Sequence, residues 1–398
     1  MTAIEDDRAA RPPPVSLYRN PRVRSIAAQA LFVLLLLWLG YELVANVRSN
    51  LAAKGILSGF GFLDNSAGFD VNQTLIPFGP TDSVRRLYVV GLLNTLVVAV
   101  LGIAFATILG FAIGIVRLSN NWLLARIAGG YVELVRNLPL LFQLLFWYLA
   151  VLGTLPATRD SASLFGVVFL NNRGVVLPRP VFGEGAGLVA AALIVALLAA
   201  WGLRRWARAR QLATGKPFPT LSVSLALIVL LPVFALVATG FPIGVELPQL
   251  RGFNFTGGWR VTPEFAALLV GLVVYTAAFI AETVRGGILA VARGQPEAAA
   301  ALGLSRRHTM QLVVVPQALR VIIPPLTSHY LNLTKNSSLA VGIGYPDLFA
   351  VFAGTALNQS GAQAIEILAI TMATYLVLSL ATSALMNFYN ARLRLVER

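Results

Sequence analysis

The sequence predicts an all-α polytopic membrane protein with about eight transmembrane helices. Only 12% of its 398 residues are charged, and 57% are hydrophobic. The hydrophobic residues gather in runs close to the 20 or so residues that a helix needs to cross a hydrocarbon core of roughly 30 Å. Lys and Arg cluster between several of these runs. Composition, run length and flanking charge therefore point to one class, a bundle of membrane helices.

Seven runs are clear, and each carries no charge or a single acidic residue. They cover residues 25–47, 94–116, 138–155, 187–203, 221–239, 265–281 and 364–386. An eighth span is expected over 317–343, where Lys335 interrupts the apolar pattern. Thr262, Pro263 and Glu264 are typical of an N-cap, a first-turn proline and a first-turn acid, so one of these helices is expected to begin there.

The basic residues indicate the orientation. With the N-terminus in the cytoplasm, the cytoplasmic segments hold 21 of the 31 Lys and Arg, the outside segments hold nine, and Lys335 lies within a span. The opposite orientation would invert this asymmetry, which the positive-inside rule expects. Both termini are therefore expected in the cytoplasm, and the net charge of +14 does not indicate nucleic-acid binding. The absence of cysteine excludes disulfides, thiol chemistry and a lipoprotein anchor.

A water-facing segment is expected at residues 294–316, between two apolar runs. Pro296 pre-sets the backbone of its first turn, and Glu297 suits the positive end of a helix. The four alanines at 298–301 favour a thin helix, and Gly303 is typical of a residue that ends one. Such a segment has little function within lipid, so we expect it to project into water and meet a partner.

A second helix is expected to follow. Ser305 can cap a helix that runs through Arg306 to residue 315, before Pro316. The two arms would form a rigid lever between membrane and cytosol. The alternative is an ordinary amphipathic loop that lies on the lipid surface.

The spacing of this segment resembles the EAA loop of ABC-importer permeases. That pattern is a Glu-Ala-Ala triplet, a glycine four residues after the second alanine, and a proline thirteen residues beyond the glycine. The residues that fit it are Glu297, Ala298, Ala299, Gly303 and Pro316. Further stretches, at 94–96, 132–141, 281–288 and 333–339, are similar to the polar amino-acid branch of that family. The resemblance implies that the loop is a coupling helix on an ATPase subunit. Other residues at the contact would be Gly294, Pro296, Leu304 and Arg306.

The resemblance also implies a domain organisation. A type I importer core of five helices would occupy 89–155 and 263–390, with the coupling loop at 294–316. The additions would be a cytoplasmic tail at 1–24, an extra N-terminal helix at 25–47, a periplasmic segment at 48–88, an inserted pair of lipid-facing helices with their loops at 156–262, and a cytoplasmic C-terminus at 391–398. Such enlargement is similar to general L-amino-acid or glutamate/glutamine/aspartate/asparagine permeases.

The partners implied by the resemblance are an ABC ATPase dimer, a second and related permease chain, a periplasmic amino-acid-binding protein and the lipid of a bacterial inner membrane. The chain has no Gly-x-x-x-x-Gly-Lys-Ser/Thr sequence, because its one Gly-Lys pair, Gly215 and Lys216, precedes Pro217. We therefore expect no catalytic residue, metal or cofactor here, with ATP and Mg on the ATPase. The alternative function is a stand-alone ion-coupled transporter or channel, which sparse intramembrane charge and the lack of a repeat disfavour.

Two groups of polar residues remain open to two interpretations. Glu282 and Arg285 lie three apart on one helix and form either an ion pair that sets the angle of the loop or a solvated surface pair.

Lys335 is the other candidate, since a lysine at a helix centre costs about 2.5–3.5 kcal/mol on insertion scales and usually faces a polar interior. Pro324 and Pro325 favour a broken helix that lines a cavity. Lys335 and Glu366 would suit the carboxylate and ammonium of an amino acid, or Lys335 snorkels or pairs structurally. Polar neighbours assigned to the same pathway are Asn332, Asn336 and Ser337. His329 is expected to be packed and hydrogen-bonded rather than catalytic.

Overall fold

The computed structural model describes residues 21–53, 59–356 and 363–393, and helices dominate them. The α-helices are α1 Pro21–Ala53, α2 Val84–Val116, α3 Trp122–Asn137, α4 Leu140–Leu145, α5 Ala186–Thr214, α6 Thr220–Ala238, α7 Pro263–Leu289, α8 Gly294–Ala301, α9 Arg306–Thr309, α10 Val315–Asn336 and α11 Ala364–Leu393. Tighter 3₁₀ segments cover Gly61–Asp64, Thr158–Asp160 and Ser337–Ile343, and wider π-helical segments cover Phe146–Leu152, Met310–Val314 and Phe349–Ala356.

Seven helices in this described part are long and apolar enough to cross a membrane, which confirms the predicted class. The expected span at 138–155 differs from the prediction. Its helical part, Leu140–Leu152, is only about 20 Å long and is bent by 109° from α3. Leu138 adopts an extended backbone, as expected of a residue that precedes a proline, and separates the two helices. The bent pair makes an eighth span only if both pieces count as one.

The bounds of two other helices also differ from expectation. α1 begins at Pro21, inside the expected tail, and continues past residue 47 to Ala53. α10 is not broken at Pro324 or Pro325, and the change from α to 3₁₀ geometry comes later, at Ser337. Neighbouring helices hold this stretch, since Ile322, Ile323 and Leu326 are buried. The remaining residues of the expected tail and C-terminus, 1–20 and 394–398, lie outside the described residues.

Close helix contacts at small residues build the core. α2 presents small side chains every fourth residue along one face, at Gly102, Ala106, Gly110 and Gly114. A Cβ added at Gly110 would lie 2.6 Å from the Cβ of Ile280 on α7, so the helices touch backbone to side chain. α7 meets α10 in the same way at Gly287, where an added Cβ would overlap Cγ1 of Ile322. Such small-residue contacts are typical of packed membrane helices.

α7 begins as the sequence predicts. Thr262 caps the helix through its side chain, which accepts a hydrogen bond from the backbone N–H of Phe265, and Pro263 occupies the first turn. The other end of α7 leads directly into the short helix α8.

The inserted region contains short strands, whereas its sequence predicts only a helix pair and loops. Within the described residues these are β1 Ala162–Leu164, β2 Val168–Asn171, β3 Gly174–Leu177, β4 Arg179–Phe182, β5 Ile243–Glu246, β6 Gln249–Arg251, β7 Asn254–Thr256 and β8 Trp259–Val261. All pairings are antiparallel, and the sheets have the orders β1-β2-β3-β8, β4-β5 and β6-β7. β3 precedes the inserted helices and β8 follows them, yet the two strands are paired, with Val175 opposite Val261.

Between these strands, α5 and α6 form a helical hairpin. The two helices pack principally against each other, and Ala196 and Ala200, one turn apart on α5, are buried in the contact region. Large apolar side chains on the outer faces, such as Leu198 and Phe234, are well exposed. This arrangement agrees with helices that face lipid.

Candidate functional site

The stretch between α7 and α10 forms a helical loop whose residues are mostly exposed. α8 begins at Gly294, two residues before Pro296, and ends before Gly303, whose φ of +76° lies in the left-handed region. The backbone N–H of Gly303 donates to the carbonyl of Ala300 (2.9 Å), and that of Leu304 donates to the carbonyl of Ala299 (3.1 Å). These bonds satisfy carbonyls at the helix end, as in other left-handed caps.

The outward surface of α8 has the features of a contact surface. Glu297 and Ala298 are exposed, and the side chain of Leu302 is 83% exposed, whereas Ala299 is 3% exposed and faces the rest of the loop. Covering an exposed leucine side chain with a partner would remove apolar surface from water and favour binding. The loop therefore presents an uncovered surface of small residues with one apolar and one acidic side chain.

The second arm differs from the prediction at its far end. Ser305 caps α9 as expected, with its Oγ accepting from the backbone N–H of His308, and Arg306 is exposed. The helix does not stop before Pro316, however. The π-helical segment Met310–Val314 joins α9 to α10, and Pro316 lies in the first turn of α10, where its missing N–H costs no helical bond.

A polar contact ties the loop to the membrane helix. Gln317 on α10 donates from Nε2 to Oε1 of Gln295 on α8, at 3.1 Å. Together with the continuous path from α9 into α10, this bond makes the loop an extension of α10 rather than a loose connection.

A three-residue charge cluster lies just before the loop. Arg285 binds Glu282 through two bonds, Nη2 to Oε1 at 2.6 Å and Nε to Oε2 at 3.1 Å. Arg117, the residue that follows α2, binds Oε2 of the same carboxylate from the other side. The side chain of Arg117 is only 14% exposed, so the cluster is partly removed from water. The spacing of Glu282 and Arg285 indicated their pairing, but Arg117 lies 165 residues away and no local pattern pointed to it.

A polar cavity of about 230 Å³ lies between α7 and α10. Its lining comes from Tyr275, Thr276 and Phe279 on α7 and from His329, Asn332 and Asn336 on α10. Of the expected pathway residues, the structure brings together Asn332 and Asn336, which lie on one face of α10 with His329. Nε2 of His329 is 2.9 Å from the hydroxyl of Thr283. The sequence prediction did not include Tyr275, Thr276 and Phe279 of α7, although their separations of one, three and four residues are typical of one helix face.

The other expected pathway residues lie elsewhere. Lys335 has an exposed side chain and does not line this cavity. Ser337 is fully buried, and its hydroxyl donates to the carbonyl of Thr334. Glu366 lies in the first turn of α11 and accepts the backbone N–H of Gly59 at 2.9 Å. Among the described residues, no ion pair joins Glu366 to Lys335.

A larger cavity of about 730 Å³ opens near the start of α7. Gln73, Arg173 and Arg260 line it together with Tyr148 and Glu264. The hydroxyl of Tyr148 donates to the Glu264 carboxylate at 3.0 Å. With Asn72 and Asn172 also in its lining, the cavity combines two guanidinium groups, one carboxylate and three amides, which suits a small polar solute or a polar protein surface.

A buried carboxylate holds the segment between α10 and α11. Asp347 accepts the backbone N–H of Ala350 at 2.9 Å and the hydroxyl of Tyr375 at 3.1 Å. Burial raises the pKa of Asp347 to about 6. Asn94 on α2 donates from Nδ2 to the carbonyl of Pro346 at 2.8 Å, so this segment is fixed to α2 as well. No cluster of three potential metal ligands occurs in the described ranges.

The apolar helices of spanning length and the short exposed helix between two of them are the features expected of a membrane permease. The chain belongs to the family of binding-protein-dependent transport system inner membrane components, which matches residues 102–395. The match includes the cavity between α7 and α10 and the whole of the loop that contains α8.

Three relatives align over nearly the whole chain. The general L-amino acid transport system permease protein AapQ of Rhizobium johnstonii is 52% identical over 379 residues, 95% of this chain and 94% of that protein. The putative amino-acid ABC transporter permease protein YhdX of Escherichia coli is 49% identical, over 96% and 97% of the two chains. The glutamate/glutamine/aspartate/asparagine transport system permease protein BztB of Rhodobacter capsulatus is 44% identical, over 96% of each. The resemblance inferred from the EAA spacing is confirmed.

Proposed function

We propose that this chain is one permease subunit of an ATP-driven importer that carries polar L-amino acids across a bacterial inner membrane. The observation that supports this most directly is the α8 loop, which stands out from the bundle with Glu297 and Leu302 exposed. Names of relatives that span nearly the whole chain support amino acids as the substrate class. Both termini lie in the cytoplasm in this proposal.

The motor is a separate ABC ATPase dimer that holds ATP and Mg and seats α8 in a groove. Because α9 continues into α10 through a π-helical segment, and Gln317 binds Gln295, displacement of α8 moves α10. α10 carries Asn332 and Asn336 in the polar cavity. Nucleotide binding thus biases the permease between inward-open and outward-open states by its different affinity for the two.

The substrate pathway uses the cavity between α7 and α10. Its amides at Asn332 and Asn336 can bind the carboxylate and ammonium of an amino acid, and the aromatic ring of Phe279 gives it an apolar wall. Lys335 points out of the described chain. A second, related permease chain would cover this side chain and complete the pathway, with Lys335 close to the substrate carboxylate.

The larger cavity, near the start of α7, receives the substrate from a periplasmic amino-acid-binding protein. Its guanidinium groups at Arg173 and Arg260 and its carboxylate at Glu264 offer both charges that an amino acid carries. The strands of the insertion, which contribute Arg260 from β8 and Arg173 from the turn between β2 and β3, extend the surface that this partner would contact.

The first experiment tests the coupling loop. Glu297→Lys in the complete transporter should abolish ATP hydrolysis stimulated by the binding protein and leave membrane insertion intact, because it reverses the only charge on α8. Glu184→Lys makes the same change at an exposed site before α5 and serves as the control. Wild-type uptake by Glu297→Lys would reject the loop as the contact with the ATPase.

The second experiment tests Lys335. Lys335→Ala should reduce uptake or alter preference across a panel of acidic, neutral and basic amino acids, whereas Lys216→Ala, which removes an exposed lysine between α5 and α6, should not. Unchanged uptake of every amino acid would remove Lys335 from the pathway. Accumulation by the chain alone in proteoliposomes, driven by an ion gradient without ATP, would favour a stand-alone transporter instead.

A further inference from the structure

The turn between α5 and α6 contains a cavity with one kind of charge only. The cavity measures about 310 Å³, within the roughly 300–1,000 Å³ range of ligand sites. Arg204, Arg208 and Gln211 line it from α5, and Thr220 lines it from the first residue of α6. Residues 186–238 contain five Lys and Arg and no Asp or Glu, so the hairpin itself supplies no counter-charge.

The arginines of this turn fall into two groups. Arg205 stacks on the ring of Trp201, with its guanidinium carbon 4.0 Å from the ring centroid, and Arg210 lies 5.3 Å from the centroid of Trp206. Arg204 and Arg208 have no such ring beneath them and, within the described ranges, no hydrogen bond or ion pair. The two unpaired arginines line the cavity and the stacked ones do not, although Arg210 also lies 5.8 Å from the ring centroid of Phe218, which is part of the lining.

The unpaired arginines share one face of α5. Positions 204, 208 and 211 follow the spacing of four and three that places side chains above one another on a helix. Two guanidinium groups one turn apart, an amide and a hydroxyl therefore converge on one cavity. Guanidinium groups bind phosphate oxygens through paired N–H donors, so the chemistry of the cavity fits a phosphate group.

The depth of the cavity identifies the source of that phosphate. The uncharged part of α5, 187–203, is roughly 25 Å long and ends immediately before Arg204. Trp201 and Trp206 are 56% and 50% exposed, and exposed tryptophans are typical of the boundary between hydrocarbon and headgroups. Arg208 lies four residues, about 6 Å, farther out, still within the headgroup layer. The cavity is therefore level with lipid phosphates.

We infer that this cavity binds the headgroup phosphate of an anionic phospholipid, with Arg204 and Arg208 as the phosphate ligands. The site is separate from the polar cavity of the bundle and from the α8 loop. Its assignment to the cytoplasmic leaflet rests on the orientation given under the proposed function, but lipid binding itself requires no transport activity. The bound lipid would fix the free end of a hairpin that packs principally on itself.

The test uses the full-length chain with its co-purifying subunits in nanodiscs of phosphatidylcholine containing a minor fraction of phosphatidylglycerol. Native mass spectrometry then counts the phosphatidylglycerol retained after release from the disc. The double variant Arg204→Gln/Arg208→Gln should lower retention roughly tenfold or more, because it removes both guanidinium groups that would donate charge-assisted hydrogen bonds to the phosphate. The control Arg205→Gln/Arg210→Gln removes the same charge and should change retention less than about threefold.

Other outcomes overturn the inference. Equal losses in both double variants would mean general surface attraction without a site, and unchanged retention in both would mean no binding there. Displacement of the lipid by millimolar inorganic phosphate would assign the cavity to free phosphate. Loss of the ATPase from the Arg204→Gln/Arg208→Gln preparation, with lipid retention intact, would assign it to an acidic protein surface.

If the double variant does not fold, the wild-type complex still decides the question. Short-chain phosphatidylglycerol should bind it and raise its thermal midpoint, and short-chain phosphatidylcholine at the same concentration should not. Equal effects of the two lipids would reject the site. Because these readouts do not involve uptake, a failed transport assay and a failed lipid assay remain distinguishable.

Discussion

Gly303→Ala is the sharpest test of the coupling loop because the structure isolates a single cost. A Cβ at this position would meet no atom within 4 Å, so crowding contributes nothing. The φ of +76° remains, and for an L-residue the left-handed region costs roughly 1–2 kcal/mol. At 1.4 kcal/mol per tenfold change, the population of correctly shaped loops should fall about 5-fold to 30-fold. ATP hydrolysis stimulated by the binding protein, measured on the reconstituted transporter at sub-saturating ATPase subunit, should fall by the same factor.

Two further variants separate the effect of the left-handed backbone from the effect of an added side chain. Gly303→Asn should retain more activity than Gly303→Ala, since Asn tolerates the left-handed region better. Gly286→Ala on α7 also places a Cβ in open space, but with ordinary helical φ, and should leave activity unchanged. Full activity in Gly303→Ala, or lower activity in Gly303→Asn than in Gly303→Ala, would show that the bend at Gly303 does not set the shape of the loop.

Three further predictions concern stability, measured as the thermal midpoint of the detergent-purified protein. Gly287→Ala should lower the midpoint, because an overpacked helix contact costs about 1–3 kcal/mol, and Ile322→Ala in the same chain should restore part of it. Arg117→Met should lower it by an amount equivalent to about 1 kcal/mol, and the loss should shrink at high salt because Glu282 is partly exposed; a salt-independent loss would contradict an electrostatic role. Asp347→Asn should remove a pH dependence. Burial raises the pKa of Asp347 from about 4 to about 6, so wild-type stability should fall as the pH rises through this window and the variant should show no such step.

Much of the fold could be predicted because the signals are local. An uncharged run predicts a span wherever it lies in the chain, and the Thr262 cap with Pro263 predicts the start of α7. The helical loop that contains α8 could be predicted equally well, since Glu297 and Gly303 act through their immediate neighbours along the chain.

Features that depend on neighbouring helices could not be predicted. Pro324 favours a break in an isolated helix, but packing of Ile322 and Leu326 keeps α10 continuous. The break at residue 138 has a local signal, because Leu138 precedes Pro139 and a residue before proline favours an extended backbone, although the hydrophobicity of the run alone predicts one span. The short strands carry three or four residues each, too few for an alternating pattern to stand out.

The residues of the candidate site likewise include some that the sequence predicts and some that it does not. Asn332 and Asn336 could be found from sequence because polar residues are rare in apolar runs. Arg117 could not, since its partner Glu282 lies on another helix. The contribution of Phe279 to the cavity was hidden because an aromatic residue in a membrane helix is ordinary.

The pairing of β3 with β8 bears on how such a chain acquires extra length. The helical hairpin of α5 and α6 is inserted between β3 and β8, where Val175 is paired with Val261, so the two ends of this inserted segment are neighbouring residues of one ladder, roughly 5 Å apart. An inserted segment whose two ends are paired strands can grow, shrink or be exchanged during evolution without moving the helices on either side. The paired strands β3 and β8 thus separate the helical bundle structurally from the segment inserted between them.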